Sequence, residues 1–147
     1  MKHALLLALL GDDGAEMDHL MAIVERRRFS PVERIRRFAK AMLECGNGQS
    51  RVQLRADLWA CAITESEVRQ SLGEMVRLRR ARLRDWVQVA IAAGDVDLGD
   101  APPNALASLL LALGDGLMLH HAIDPSSFRW QNLARVLDAV FAALGPA

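Results

Sequence analysis

Five arginines within eight residues, "RLRRARLR" at 77–84, form the densest run of charge in this 147-residue chain. On a helix advancing about 100° per residue, Arg77, Arg80 and Arg84 fall on the polar side and read as a solvated face. Arg79 falls instead in the middle of the stripe made by Val68, Leu72, Met75, Leu83, Trp86 and Ala90, with Arg82 near its edge. A guanidinium keeps its charge when it is buried, so Arg79 needs an anionic or carbonyl partner. One reading is structural: an internal ion pair with Asp115 or Glu44, or a side chain that snorkels out at the domain edge. The other is a ligand anchor. A cavity lined by Met21, Phe38, Met42, Trp59, Met75 and Met118, with Asp115 and the one fixed cation of Arg79, suits an amphipathic ligand that bears a carboxylate, since binding sites are mostly apolar with few polar anchors.

Methionine and aromatic side chains at inward positions are ordinary core, but methionine is also the residue of adaptable binding surfaces. The adjacent His120 and His121 point about 100° apart on a helix and cannot jointly chelate one ion; they read as solvated or interface side chains. The sequence holds no nucleophile elbow, phosphate loop, metal-spaced cluster or plausible triad. No catalysis, metal or cofactor is expected.

These side chains must be positioned by helices, because every periodic signal in the chain is helical. The opening "MKHALLLALLGDD" lacks the small-residue cleavage site of a secretory signal and reads as a helix already under way at Met1. Met17, Leu20, Met21 and Val24 form the next stripe. In "SPVERIRRFAKAML", Ser30 serves as N-cap, Pro31 opens the first turn and Glu33 completes a capping box, with Ile35, Phe38, Ala39 and Met42 inward. Gly46 and Gly48 end that helix. Leu54, Leu58, Trp59 and Ala62 mark a shorter one, followed by a second capping box from Thr64 to Glu67. From Ser66 the pattern runs unbroken over residues 66–93, about twice the usual helix length, and stops at Gly94. After the loop "GDVDLGDAPPN", helices over residues 102–122 and 127–144 close the chain. The expected fold is all-α, a bundle of six to seven helices in one domain, residues 1–147.

In "LASLLLALGDGLMLHHAID" apolar residues occupy nearly every face, which calls for burial on more than one side. One side can meet the domain's own core and the other needs a partner, with Gly114 and Gly116 allowing close approach. Leu133, Val136, Leu137, Val140, Phe141 and Leu144 form one broad stripe on the last helix. Two such helices from each of two copies make an intermolecular four-helix bundle. The expected interface of the homodimer is Leu109, Leu113, Gly116 and His120 with that stripe.

Composition narrows the function classes. Hydrophobic residues make up 52% and charged residues 24% of the chain, the balance of a folded globule, and its length suits a single core. No apolar run approaches the roughly 20 residues that span a bilayer, so no membrane partner is expected. Eighteen basic and eighteen acidic residues cancel, leaving no net positive field for phosphate backbones. Nucleic acid is therefore not expected as a direct partner. Cys45 and Cys61 lie among apolar neighbours in helical patterns and read as free thiols of a cytoplasmic protein.

The strings "LRADLWACA", "RDWVQVAIAAGDVD" and "LLLALGDGLML" followed by "IDP" resemble, in that order and spacing, the C-terminal ligand-binding and dimerisation domain of TetR-family transcriptional regulators. Asp115–Gly116 and Trp59 are the most recognisable points; Cys61 departs, standing where an acidic residue is common in that family. The resemblance implies that "KHALLLALL" corresponds to the family's fourth helix, residues 1–10 being the remnant of the link to a helix-turn-helix head that is absent from this sequence. It further implies an effector-sensing domain of a repressor, in which a small apolar or amphipathic molecule enters beside the long helix, shifts the N-terminal helix and changes the spacing of two DNA-binding heads. The alternative is a stand-alone helical dimer that binds small molecules or another protein without a DNA-binding role.

Overall fold

The computed structural model describes residues 2–26, 28–45, 49–127 and 129–146, and among these it holds six α-helices, one 3₁₀ turn and no strand. The opening apolar run and the Met17 stripe are one helix, α1 (Lys2–Arg26), which passes through Gly11 and Gly14 without a break. Helix α2 (Pro31–Cys45) starts as expected at Ser30, whose Oγ accepts the Glu33 backbone N–H at 3.3 Å. The capping box is only half made, however. The Glu33 carboxylate is drawn away by Arg36 at 2.5 Å and Arg37 at 2.8 Å. Gly46 and Gly48, the expected end of this helix, lie outside the described residues.

Helix α3 (Gln49–Thr64) runs almost directly into α4 (Ser66–Ala92). The second capping box does not form, because the ladder of α3 continues through Thr64, whose hydroxyl donates to the Cys61 carbonyl at 3.2 Å, and Glu65 caps α4 without a side-chain bond. Gly94, with φ +77°, turns the chain out of α4 in the left-handed region that glycine adopts without a Cβ penalty. The following loop is tied down at Asp97, whose backbone N–H donates to the Leu144 carbonyl at 2.7 Å and whose carboxylate accepts the Gly99 N–H at 2.8 Å. Helix α5 (Pro103–Ile123), a 3₁₀ turn at Pro125–Ser127 and α6 (Trp130–Ala143) complete the fold. The last helix begins later than the expected residue 127 because that turn comes first.

At about 1.5 Å per residue, the 27 residues of α4 span about 40 Å and pack against α1, α2, α3 and α5. Its apolar stripe is interrupted at Arg79, and the interruption divides the interior. On the N-terminal side, Val68 and Leu72 join Leu10, Leu58 and Ala62 in a small core. Beyond it, Leu83, Trp86, Val87 and Ala90 join Met21, Ile35, Phe38 and Phe141 in a larger one. Phe38 meets the Trp86 ring edge-on at 5.6 Å between centroids.

Helix α5 corrects one reading of the sequence. By length and composition it is apolar enough to cross a bilayer, since it carries a single Asp, Asp115, and no Glu, Lys or Arg in 21 residues. Counting uninterrupted apolar residues missed this. In the fold, Leu106, Ala107, Leu110, Leu111 and Met118 are buried against the domain, while Leu109 and Leu113 stay exposed.

Arg82, at the edge of the stripe, joins two helices through an ion pair. Its Nε and Nη2 donate to the two carboxylate oxygens of Glu25 at 2.6 and 2.5 Å, and the Trp86 indole N–H donates to the same carboxylate at 3.1 Å. This clamp fixes the C-terminal end of α1 to the middle of α4. The hydrogen bonds from Arg82 hold the Glu25 carboxyl below its ordinary value of 4.5 and raise the Arg82 guanidinium in turn. A carboxyl depressed by folding stabilises the fold above its unfolded-state value and loses that contribution as pH falls through its folded-state value. Glu25→Gln is therefore expected to lower stability by about 1.5 kcal/mol at neutral pH, and thermal melts of variant and wild type should converge below pH 4.5. A gap that persists in acid would show that packing, not charge, makes the contribution.

Candidate functional site

Where the two cores meet, five helices enclose a cavity of about 30 Å³. Leu10 and Met17 reach it from α1, Met42 from α2, Arg55, Leu58 and Trp59 from α3, Leu72, Met75, Val76 and Arg79 from α4, and Leu111 and Asp115 from α5. Arg79 and Arg55 face the cavity with the single carboxylate of Asp115, so its walls carry one more positive than negative charge. Helix α1 comes close over α4 here. A Cβ on Gly14 would stand 3.1 Å from Met75 Sδ and 3.9 Å from Arg79 Nη2.

Of the eight side chains expected at a ligand site, Met42, Trp59, Met75, Arg79 and Asp115 converge on this cavity, and Trp59, 41% exposed, stands at its rim. Three do not line it. Met21 and Phe38 are sealed in the larger core, and Met118 is buried beside the site, where its Sδ accepts a weak bond from Arg55 Nη1 at 3.4 Å. Asp115, one of the two expected partners of Arg79, shares the cavity with it; the Glu44 side chain lies outside the described ones. Arg55 is the residue that sequence reasoning missed. Its signal was its spacing, three before Leu58 and four before Trp59, which sets it on the face of α3 that those residues use. Cys61 is a free, half-buried thiol, and Cys45 falls outside the described side chains.

A second feature opens on the outer face. Helices α5 and α6 both pack on α2 and scarcely on one another. Between them runs an apolar groove of about 350 Å³ floored by Ala39, Met42 and Leu43. Eight of the ten expected interface residues line it: Leu109, Leu113, Leu133, Val136, Leu137, Val140, Phe141 and Leu144. They divide by burial. Leu137 and Phe141 belong to the domain's own core, whereas Leu109 is 62%, Val136 61% and Val140 48% exposed. Gly116 and His120 do not line the groove, and a Cβ on Gly116 would meet nothing within 4 Å. Gly114 is the glycine that a close approach requires: a Cβ there would stand 2.5 Å from Met42 Cε. His121 packs edge-on against Trp130 at 4.9 Å, and among the described residues no group of three His, Cys, Asp or Glu side chains is gathered as a metal site requires. Lys40 holds Asp138 at 2.9 Å, pinning α6 to α2 behind the groove.

Known proteins place this architecture. No curated protein matches the chain by sequence. Among solved structures it is similar to the MbdR regulator from Azoarcus sp. CIB, with a TM-score of 0.76 at 18% identity, over 100% of this chain and 78% of that one; at that identity the likeness speaks for the fold. Residues 31–146 match the family described as BetI-type transcriptional repressor, C-terminal. A match of that extent shows that the chain belongs to this family: it is a TetR-type C-terminal regulatory domain, part of a transcription regulator rather than an enzyme.

Proposed function

We propose that the chain is the effector-sensing and dimerisation domain of a repressor, and that its effector is a small amphipathic acid bound at the seam between the two cores. The observation that carries this reading is the convergence of Arg79, Arg55 and Asp115 with three methionines on one cavity, walled by all five of the first helices. A carboxylate placed there meets an excess of guanidinium, and methionine walls adapt to an apolar body. Because Met75 is held tightly under Gly14, a ligand that presses on Met75 pushes directly on α1, the helix that the family resemblance assigns to the link with a DNA-binding head. Such a ligand switches the regulator only through a higher affinity for one arrangement of α1 than for the other. Titration with decanoate, followed by thermal melting, tests the reading: a binder stabilises the folded state by mass action. No change in melting at millimolar decanoate would overturn the acidic-effector assignment.

A second copy covers the groove in this proposal. The chain exposes 8959 Å², against about 7,500 Å² for a compact monomer of its mass, and the exposed side chains of Leu109, Leu113, Val136 and Val140 gather where α5 and α6 diverge. Two grooves facing each other across a two-fold axis bury both. The site of regulation is cytoplasmic.

The domain itself does not read DNA in this proposal. Its charge is balanced, and Arg84 is engaged by Asp85 at 2.7 Å. A mobility-shift assay with operator-like duplex at physiological salt is expected to show no specific complex with this chain alone. A shift that survives competitor DNA would contradict the assignment of DNA reading to a separate head.

A further inference from the structure

A cavity of about 30 Å³ holds about one water molecule, so no organic effector enters unless a wall moves. Most of the apolar walls have nowhere to go. Leu58 and Leu72 are buried in the small core and Met17 in the large one, while Met75 is confined beneath Gly14. Met42 is different in three respects. It is half-buried, it lines both the cavity and the groove, and its methyl lies against Gly114, in the place where a Cβ would come within 2.5 Å of Cε and 3.7 Å of Sδ. Its unbranched thioether turns about three soft torsions, and on its outer side lies an apolar groove of about 350 Å³.

We propose that Met42 is a movable partition between the effector cavity and the dimer groove. An effector filling the cavity drives the thioether out of the Gly114 notch and into the groove, where it occupies space that the second copy needs. Effector binding and self-association therefore oppose one another, and linkage demands the same factor in both directions. Met42 also limits how far the effector extends toward the groove, because it is the lining residue that the cavity and the groove share. This inference rests on the effector and dimer readings proposed above.

The test is sedimentation equilibrium of the full chain with and without saturating decanoate, with decanoate binding measured separately by calorimetry. In the wild type, decanoate is expected to raise the dimer dissociation constant about fivefold or more, the low end of ordinary coupling between sites. In Met42→Ala the decanoate affinity changes, so its new value is measured first; at decanoate concentrations that saturate the variant, the change in its dimer constant should fall well below the fivefold expected of the wild type. Gly114→Ala, whose new Cβ takes the place of the methyl, should weaken the dimer without any ligand, and should do nothing further in the Met42→Ala background. A glycine needed only for the geometry of α5 would act equally in both backgrounds and would overturn the partition. So would decanoate that binds the wild type and leaves its dimer constant unchanged, a result that spares the effector reading. Absence of decanoate binding, or a wild-type chain that is monomeric, overturns the effector or the dimer reading respectively, and the partition falls with it.

Discussion

Val140→Asp is expected to convert the chain from dimer to monomer at micromolar concentration while leaving the monomer folded, its melting temperature falling only by the contribution of association. Val140 lines the groove yet is 48% exposed in the single chain, so a carboxylate there stays hydrated in the monomer. In the dimer it would be carried into an apolar interface with no partner, which costs several kcal/mol. A loss of about 100-fold in association corresponds to about 2.7 kcal/mol. Leu137→Asp is the control. At 7% exposure Leu137 belongs to the domain's own core, so the same charge should unfold the monomer. Sedimentation and circular dichroism on the two variants separate the outcomes. A Val140→Asp chain that remains dimeric would move the interface away from the α5–α6 groove.

The second large effect is expected at Arg79. Replacing it with methionine should reduce decanoate affinity by about 100-fold or more, since a carboxylate drawn into a low-dielectric cavity without its cation carries a penalty of about 3–5 kcal/mol. The empty protein should melt almost where the wild type does. Arg79 is only half-buried, Arg55 remains to face Asp115, and the methionine adds apolar contact where Met17, Met42 and Met75 already stand. A fall of several kcal/mol in the stability of ligand-free Arg79→Met would identify Arg79 as scaffolding instead. Retained decanoate binding in the variant would put the carboxylate elsewhere.

Both expectations start from patterns that the chain displays openly. An arginine inside the 3.6-residue stripe of a long helix is visible in one dimension because periodicity defines a face, and Arg79 duly stands at the junction of two cores. The same arithmetic identified Leu109, Leu113, Val136 and Val140 as surplus apolar surface, since one helix face can be buried only once. Periodicity does not say which of several inward residues meets a void. Met21, Phe38 and Met42 all point inward from α1 and α2, but only Met42 lies at the seam, and that depends on where α3 and α5 cross. The Thr64–Glu67 capping box failed for a related reason. A local hydrogen-bonding option was open, and the competing ladder of α3 took the residue first. Arg55 escaped notice because it sits on a helix with little contrast between its faces, so its spacing to Leu58 and Trp59 was a weak signal that only tertiary packing makes decisive. The size of the cavity is set by methionine rotamers, which leave no trace in sequence.

The interruption of α4 at Arg79 has a consequence for how the domain comes apart. Two apolar clusters joined across a polar seam are two units of unequal strength: a small one around Leu58, Val68 and Leu72, and a large one around Phe38, Leu83 and Trp86. Opening the small unit exposes less apolar surface than global unfolding does, so α3 and the first turns of α4 can fray while the rest of the domain holds. In the function proposed above, the empty protein opens at the place where the effector enters. A molecule lodged between the clusters acts as a rivet. It would couple the two units into one and remove the domain's loosest mode of motion.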